Sequence, residues 1–428
     1  MRGDSGFVLL GFLCKADLLP VQEPHPSPDA SMKKHTILFC AFLAAMGPFS
    51  SLGVGFRLPN QDPVGIARGN AFAATADNPS AIYYNPAGIT QLEGHNFQYG
   101  LYGIAVDSRY RASNGHTADT DSKIQGVPQI YYTFSPKENP FSFGLGVFAP
   151  YGLGLIWPED SGFRTLSIEG KLVYASVAPV IAWEVSPRLS LSVGPTINVS
   201  QVKFQRGIMT ATDRFGFRGD GVGLGYTAGL LWQPHAQWSL GLSYHSATDI
   251  DFQGHSKAAP YAEAEETTAG LPFPQFVLAG VSFRPNEKWN TEVNIDWTDW
   301  DALDVVNFRK PSGDAPFPFN FKSSFMYGAG VTRYLKDGYF ASAGYFYSEN
   351  SVPVRNFNPA VPDTIQHSFS LGAGRKGERW SWAAAYQMLT GPWRTVQDSL
   401  SPSLLRESAD GRYKFFNHAL NVSVGYRF

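Results

Sequence analysis

The sequence predicts an all-β fold, a transmembrane antiparallel β-barrel of about 14 strands. Three observations lead to this prediction. The chain is rich in aromatic residues and poor in charge. Much of it alternates between apolar and polar residues with a period of two. Short and long connections follow each other in turn along its length.

The composition excludes a bundle of membrane-spanning helices. The chain has 428 residues and is 43% hydrophobic, but it lacks a series of apolar runs of the ~20 residues that such helices need. Aromatic residues make up 14% of the chain and charged residues 16%, as expected for a barrel with aromatic girdles. A large soluble all-β protein is the alternative that composition alone leaves open. The net charge of -2 gives no reason to expect a nucleic acid partner.

The amino end has the features of a secretory signal peptide. A short apolar run at residues 36–46 follows a basic start at residues 32–34, and the small residues after it end at Gly53. We therefore expect residues 1–53 to comprise an upstream extension plus a signal peptide, with Met32 as the true start. A genuine long leader is the alternative.

The carboxyl end shows the alternation most clearly. One face of this strand carries Phe416, His418, Leu420, Val422, Val424, Tyr426 and Phe428. Side chains alternate between the two sides of a strand, so one face meets lipid and the other meets the lumen. The terminal aromatic residue resembles the assembly signal of outer-membrane barrels. Residues 289–298 alternate in the same way, and their polar face carries Glu292 and Asp296, which need water or polar partners inside.

Turn signals and periodicity together divide the rest of the chain into strands. They are expected near 96–107, 124–135, 141–151, 169–184, 188–205, 218–233, 236–252, 270–284, 288–300, 319–334, 338–348, 363–374, 378–388 and 412–428. Short turns alternate with longer links, among them 152–168, 206–217, 253–269 and 349–362. This rhythm is typical of periplasmic turns and extracellular loops, and it favours a membrane barrel formed by residues 96–428.

The segment before the first strand, residues 54–95, does not alternate. It is rich in Ala and Gly and carries two Asn-Pro pairs, at Asn78 and Asn85. Small residues allow close packing, and Asn-Pro pairs interrupt regular structure. We predict that this segment forms an N-terminal hatch, a plug inside the lumen. A periplasmic tail is the alternative, but the segment lacks the charge of a disordered tail.

The sequence resembles the FadL-type family, outer-membrane transporters of long-chain fatty acids and other hydrophobic compounds. The resemblance is carried by the mature start at 54–58, the hatch motif at 77–88 with its Asn-Pro-Ala, the third strand at 143–153, residues 361–372, and the final Phe428. It implies a 14-stranded barrel closed by a hatch, and a kinked third strand that lets the substrate leave sideways through the wall.

Two sets of site residues follow from this resemblance. The hatch or gating residues are Val54, Gly55, Phe56, Asn85, Pro86 and Ala87. The lateral opening is expected in the strand with Gly144, Gly146 and Pro150, because glycine has no side chain and proline cannot donate a ladder hydrogen bond. The alternative for the two glycines is that they merely accommodate the hatch.

The functional prediction is a bacterial outer-membrane transporter that takes up long-chain fatty acids or other hydrophobic compounds by gated, lateral-exit diffusion. A general porin or a structural, adhesin-type barrel is the alternative. The expected partners are a hydrophobic small molecule (a fatty acid or an aromatic hydrocarbon) and outer-membrane lipid and lipopolysaccharide, and a monomer is expected. Arg206, Arg214 and Arg218 lie near a short loop, where they could meet a carboxylate or a lipopolysaccharide phosphate or form a solvated surface.

The sequence gives no sign of an enzyme, a cofactor or a metal site. Cys14 and Cys40 both precede the predicted cleavage site, so no disulfide is expected in the mature chain. Ser243 and His245 share a face of one strand, which is a common coincidence in a chain of this size. Asp296, Asp299, Asp301 and Asp304 are close in sequence without a calcium-loop pattern, so a solvated rim is expected there.

Overall fold

The computed structural model describes residues 55–121, 124–399 and 407–428. The predicted extension and signal peptide, with both cysteines and Val54, lie outside the described residues. Within the described residues, no helix has the length and apolar character needed to cross a membrane, which does not bear on strands.

The described chain forms a closed antiparallel barrel of 14 strands, which confirms the predicted fold class. Eight strands are continuous: β1 Gly94–Arg111, β2 Ile124–Ser135, β4 Glu169–Ser186, β5 Leu189–Arg206, β6 Arg214–His235, β11 Tyr339–Ser348, β12 Gln366–Lys376 and β14 Gly411–Arg427. Six are interrupted: β3 Phe141–Phe148 and Gly152–Ile156, β7 Trp238–His245 and Thr248–Ala259, β8 Glu265–Phe273 and Phe276–Asn286, β9 Trp289–Thr298 and Val305–Arg309, β10 Ala315–Pro318 and Ser324–Tyr334, and β13 Trp380–Thr390 and Arg394–Val396.

Each strand pairs with its neighbours in sequence, and β1 also pairs with β14, which closes the barrel. The pairing of β1 with β14 runs from Asn96 opposite Arg427 to Arg111 opposite Arg412. A short strand, Thr117–Asp119, folds back onto the end of β1. Closure removes the free strand edges that could pair with other chains and satisfies the backbone within the bilayer.

Several strands extend further than the sequence predicts. The expected long link at residues 253–269 is replaced by the ends of β7 and β8, which leave only residues 260–264 between them. Apolar and polar residues alternate poorly there because neither face of these strands meets lipid. Cross-strand polar pairs support the ladder instead, and the hydroxyls of Ser256 and Thr267, for example, lie 2.7 Å apart. Predicted strand 141–151 is interrupted at residues 149–151.

The two faces of the wall differ as predicted. On β9, the outward Val293 and Ile295 are 59% and 50% exposed, whereas the inward Glu292, Asn294 and Asp296 are buried. The outward face is therefore suited to lipid, and the inward polar groups must find partners within the lumen.

The amino-terminal segment, residues 55–92, folds into three short helical pieces, α1 Pro63–Ala67, α2 Ala81–Tyr84 and a 3₁₀ helix Pro86–Gln91. Asp62 caps α1 by accepting hydrogen bonds from the backbone N–H groups of Val64 (2.8 Å) and Gly65 (3.3 Å), with Pro63 at the first helical position. Most side chains of the segment are buried, and its partners are the inward faces of the strands.

Glycines of the inner wall allow this segment to approach closely. A Cβ atom at Gly344 would lie 2.1 Å from the backbone of Arg68 and Gly69, and one at Gly241 would lie 2.0 Å from the carbonyl of Ala73. The same holds at Gly229, Gly328, Gly330 and Gly372, which face other parts of the segment. Since a side chain at these positions has no room, the barrel wall is shaped to receive residues 65–87.

Gly344→Val should loosen this packing. The added side chain overlaps the backbone of Arg68, and overpacking of this kind costs about 1–3 kcal/mol. We expect faster hydrogen exchange in residues 65–75 of the purified barrel. Ala343→Val, on the neighbouring outward position of the same strand, is the matched control and should leave exchange unchanged. Equal protection in the two variants would contradict the packing described above.

Candidate functional site

A buried ion pair joins the start of the amino-terminal segment to the barrel wall. The Arg57 guanidinium donates to both carboxylate oxygens of Asp296, at 2.5 and 2.7 Å, and to the Thr298 hydroxyl at 2.8 Å. It also lies 3.8 Å above the ring of Phe276 and donates to the Tyr83 hydroxyl at 3.3 Å. This bidentate pair fixes both the position and the orientation of residue 57.

A second contact lies four residues away on the same strand. Arg68 pairs with Glu292 at 3.2 Å. The same carboxylate accepts hydrogen bonds from the Ala74 N–H at 2.8 Å and from the Thr75 hydroxyl at 2.5 Å. The inward carboxylates of β9 are thus paired with the amino-terminal segment, so β9 is its main electrostatic anchor.

The backbone around Arg57 covers the interruption of β3. The Leu58 N–H donates to the Pro150 carbonyl at 2.7 Å, and the Gly152 N–H donates to the Phe56 carbonyl at 2.9 Å. The Gln61 side chain donates to the Ala149 carbonyl at 2.6 Å. Backbone groups of β3 that have no ladder partner here are therefore satisfied by the amino-terminal segment.

The wall is weakly paired beside this interruption. The ladder between β2 and β3 covers only Ile130–Phe134 and Phe143–Val147. Beyond this ladder the pairing is not regular: the Gln125 amide donates to the Gly154 carbonyl at 3.2 Å, and the Asp121 N–H, just before β2, donates to the Ile156 carbonyl at 3.1 Å. Residues 152–156 pair with β4 instead. A gap between neighbouring strands thus lies next to residues 56–58.

An apolar cavity lies inside the barrel, on the side of the long loops. Phe56 forms part of its wall, and the cavity is otherwise lined mainly by aromatic and aliphatic side chains of β4–β10, among them Leu172, Val202, Phe204, Phe217, Phe252, Leu271, Phe308, Phe317 and Phe319. Phe56 also packs on Trp300 (ring centroids 4.7 Å apart), Phe273 and Tyr151, so it connects the cavity to the interruption of β3.

The loop between β11 and β12, residues 349–365, covers one side of this cavity. Ala360 and Val361 line the cavity, and the Trp157 indole donates to the Pro359 carbonyl at 2.8 Å. The buried Asp363 carboxylate accepts hydrogen bonds from the Ser351 N–H at 2.7 Å and from the Gly55 N–H at 3.3 Å. Burial raises the pKa of Asp363, and these hydrogen bonds partly oppose it. The loop is thereby linked to the first described residue of the amino-terminal segment.

Of the predicted gating residues that the structure describes, Phe56 lines the cavity, Gly55 lies beside Trp300 and Asp363, and Asn85, Pro86 and Ala87 lie elsewhere. Gly55 has a φ of +65°, and a Cβ there would lie 2.5 Å from the Trp300 ring. The Asn85 amide donates to the Ala73 carbonyl at 2.8 Å and to the Leu230 carbonyl at 2.9 Å, and its oxygen caps the 3₁₀ helix that begins at Pro86. The Asn-Pro-Ala sequence thus fastens the segment to β6 and to itself.

The three residues predicted for the lateral opening lie in different settings. Gly144 and Gly146 lie within the regular ladder of β3, opposite Val180 and Ala178. Cβ atoms there would lie within about 3 Å of the Ile82 side chain, so the space is taken by the amino-terminal segment. Pro150 lies in the interruption itself. Its carbonyl accepts the hydrogen bond from Leu58.

The sequence reasoning missed Arg57, Arg68 and their partners. Two arginines in a segment otherwise rich in Ala and Gly, and two carboxylates on the inward face of a predicted strand, were the available signal. A buried charge needs a partner of opposite sign, so buried arginines in the segment and buried carboxylates on the wall indicate that the two form ion pairs.

The Ser243–His245 pair and Asp299 are engaged in other contacts. Ser243 and His245 are 3.5 Å apart, but both are buried, and the His245 ring nitrogen lies 2.9 Å from the Tyr83 carbonyl. No three His, Cys, Asp or Glu side chains among the described residues are placed to hold a metal ion. Asp299 accepts hydrogen bonds from Gln275 and Ser323.

Comparison with known proteins identifies the family. Residues 45–428 match the family of outer membrane protein transport proteins (OMPP1/FadL/TodX). The chain belongs to this family. The long-chain fatty acid transport protein of Salmonella typhi is 22% identical over 363 residues, which cover 75% of this chain and 83% of that protein. This membership confirms the predicted resemblance and the location in the bacterial outer membrane.

Solved structures of the family share the fold. A Pseudomonas aeruginosa FadL homologue superposes with a TM-score of 0.77 at 18% identity and covers 88% of this chain and 100% of its own. The Ralstonia pickettii toluene transporter TbuX gives a TM-score of 0.68 at 16% identity, with 87% of this chain and 100% of its own covered. At these identities the similarity extends to the barrel architecture.

One further group in the amino-terminal segment of this family member is poised to titrate. Asp62 is fully buried and has no cationic partner among the described residues. Burial raises its pKa to about 6, although Asn78 (3.1 Å), Gln98 (2.5 Å) and two backbone N–H groups of α1 donate hydrogen bonds to it. By contrast, the pKa of Asp77 is lowered: burial raises it, but the charges of Lys376 and Arg284 outweigh burial.

Breaking the Arg57–Asp296 pair should detach the start of the segment. Asp296→Asn leaves a buried guanidinium without its charge partner, and the loss of one partner of a buried pair costs about 3–5 kcal/mol. We expect higher ion conductance through the barrel in planar bilayers. Arg57→Met combined with Asp296→Leu removes both charges and should recover part of the loss. Equal conductance of the wild type and the single variant would contradict the anchoring role.

The raised pKa of Asp62 predicts greater stability of the docked segment at lower pH. The native state holds the proton up to pH about 6, whereas the unfolded chain releases it near 3.8. The free energy of unfolding therefore increases as the pH falls from 7 to 5. The contribution of Asp62 reaches its full value of about 3 kcal/mol below about pH 4. Asp62→Asn should remove this dependence in thermal unfolding between pH 5 and pH 8. A wild type and variant with parallel pH profiles would overturn the prediction.

Proposed function

We propose that the chain takes up hydrophobic compounds from the cell exterior and releases them sideways into the outer membrane through the gap between β2 and β3. The observation that carries this proposal is the position of Phe56. Its ring forms part of the apolar cavity wall, and its backbone carbonyl is hydrogen-bonded across the interruption of β3. A substrate that displaces Phe56 from the cavity side would at the same time uncover the gap.

A sideways exit suits the energetics of an apolar substrate. Each buried CH₂ group that re-enters water loses about 0.8 kcal/mol, so a passage from an apolar cavity directly into lipid avoids a large barrier. The inner wall below the cavity is polar and is filled by the amino-terminal segment, which offers such a substrate no favourable path to the periplasm.

The lining of the cavity supports an apolar body as the part of the substrate that binds there. Phe204, Phe217 and Phe308 face the cavity. Lys171 and Lys203 border it but alternate with the inward Leu172 and Phe204 along β4 and β5, and Lys203 pairs with Glu169 at 2.6 Å. We therefore infer that the alkyl chain of a fatty acid or an aromatic hydrocarbon fills the cavity. Relatives of both kinds occur, a long-chain fatty acid transport protein and a toluene transporter.

The amino-terminal segment, residues 55–92, acts in this proposal as a hatch that stays in the lumen while its first residues move. Phe56 and Leu58 bond to β3, and Arg57 is held by Asp296, so release of residues 55–58 requires the loss of a few specific contacts. The remaining contacts, from Arg68 to the 3₁₀ helix, keep the lumen closed. A general porin is the competing function, and the filled lumen argues against it. No enzymatic activity is proposed.

Joining the two strands at the gap should block uptake. Both native cysteines precede the predicted cleavage site, so the predicted mature chain permits a Gln125→Cys, Gly154→Cys variant. The two introduced side chains flank the gap and are joined by a short bis-maleimide. We expect uptake of radiolabelled oleate or toluene by cells or liposomes to fall at least about tenfold after cross-linking, since the exit cannot widen.

A matched control joins the same two strands where they are already paired. Tyr132→Cys with Leu145→Cys lies within the ladder on the outward face, and its cross-link should leave uptake unchanged. Normal uptake with the gap cross-linked would refute the lateral exit. Comparing oleate with toluene in the un-cross-linked protein identifies which substrate class the cavity accepts.

A further inference from the structure

A cluster of cations surrounds one tryptophan on the outer surface of the barrel, at the end that carries the long loops. The charged groups of Arg111, Arg412 and Lys414 lie 5.6, 5.2 and 6.0 Å from the ring centroid of Trp393. We call these four residues the Trp393 cluster. Arg111 belongs to β1 and the other two cations to β14, whereas Trp393 lies just before the last segment of β13.

The alternation of the strands places these cations on the outward face. Residues 412 and 414 continue the outward series of β14, which includes Phe416, Leu420 and Val424. The outward aromatic residues Tyr426 and Phe416 are ten positions apart. At about 3.3 Å per residue and a tilt of about 40°, this spacing corresponds to about 25 Å across the membrane, the height of the lipid-facing band of such barrels. Lys414 and Arg412 therefore lie immediately above the hydrocarbon of the outer leaflet.

Like charges oppose each other within this region. In the register of β1 and β14, Arg111 is opposite Arg412 and Arg109 is opposite Lys414. Opposed like charges destabilise a sheet. Arg109 is neutralised by Asp119, with hydrogen bonds of 2.8 and 3.1 Å. No carboxylate of the described residues lies within ion-pair distance of Arg111, Arg412 or Lys414. The arrangement calls for an external anion.

Three other arginines at this end bind groups of the extracellular loops. Arg214 pairs with Glu159, and Arg206 donates to the Thr165 carbonyl at 3.2 Å. Arg164 is bound to Glu159 and Asp213. These three arginines are thus engaged within the loops, whereas Arg111, Arg412 and Lys414 surround Trp393.

We propose that the Trp393 cluster binds the phosphorylated glucosamine headgroup of lipopolysaccharide in the outer leaflet. Phosphate oxygens accept charge-assisted hydrogen bonds from the two guanidinium groups and the ammonium group. The Trp393 ring holds the cations in place and offers an apolar surface for a sugar ring. The acyl chains run down the outward face of β13 and β14, past Phe416, Tyr386 and Leu420, all of which are exposed.

The position of the cluster favours lipopolysaccharide over phospholipid. The long loops mark the extracellular side of the barrel, and lipopolysaccharide forms the outer leaflet there. The opposite end offers a comparison, because Arg333 lies 4.6 Å above the outward Trp289 and Arg375 lies 5.4 Å above the outward Tyr339. These two pairs face the inner leaflet, where the anionic lipid is a phospholipid.

The test compares purified full-length barrels in mild detergent by native mass spectrometry, titrated with bisphosphorylated lipid A. The triple variant Arg111→Gln, Arg412→Gln, Lys414→Gln should bind it at least about tenfold more weakly than the wild type. The matched control Arg333→Gln, Arg375→Gln should change affinity less than about twofold. Dephosphorylated lipid A should bind the wild type about as weakly as bisphosphorylated lipid A binds the triple variant.

Two results would overturn the proposal. One is unchanged lipid A affinity in the triple variant. The other is equal affinity of the wild type for phosphatidylglycerol and lipid A, with both lost in the triple variant, which would show a general site for anionic lipids. Single variants Arg111→Gln and Arg412→Gln, each expected to weaken binding severalfold, keep the test decisive if the triple variant fails to fold. Substrate uptake plays no part in the readout.

Discussion

The structure depends on one electrostatic constraint: carboxylates that face the lumen of a sealed barrel must have partners. Glu292 and Asp296 are buried on the inner face of β9, where an unpaired charge is very costly. The amino-terminal segment supplies Arg68 and Arg57, together with the Ala74 N–H and the Thr75 hydroxyl. Replacing both partners of such a pair by apolar residues is often tolerated, so the pairs are better explained by the specific placement they impose than by a gain in stability.

That placement couples two walls of the barrel through a single short stretch of chain. The Arg57 side chain points to β9, while the backbones of its neighbours Phe56 and Leu58 bond to β3 on either side of Pro150. A movement of residues 56–58 away from β3 therefore strains the contact with β9, and the reverse holds as well. The coupling requires no long network, because the three residues are consecutive. It gives the proposed gate two alternative arrangements that differ in a few hydrogen bonds, one ion pair and the packing of one phenylalanine ring.

Much of this fold could be predicted from the sequence, and the misses have physical causes. The alternation of apolar and polar residues identified β9 and β14 as membrane strands, because those strands have lipid on one side and polar partners on the other. It failed at residues 253–269, where both sides of β7 and β8 lack lipid and the outward residues become polar. Of the three residues predicted for the third strand, Pro150 lies in the interruption at residues 149–151, whereas Gly144 and Gly146 lie in the regular ladder and receive Ile82. Single-strand patterns cannot show which distant side chain fills a gap, so Arg57 and its partners could not be placed.

The polarity of the wall inverts along the strands, and this inversion fixes where a side exit can work. On β14 the outward residues change from Phe416 to Lys414, while the inward ones change from Asn417 to Phe415 and Tyr413. On β6 the outward Val222 and Leu224 give way to Arg218 and Arg214, and the inward Phe217 lines the cavity. The apolar lumen therefore lies at and above the level where the exterior becomes charged, and the polar lumen lies within the bilayer. An apolar molecule in the cavity meets lipid only if the wall opens near this boundary. The interruption of β3 lies there, between Phe148, which packs on Tyr83 of the amino-terminal segment, and the cavity-lining Leu153.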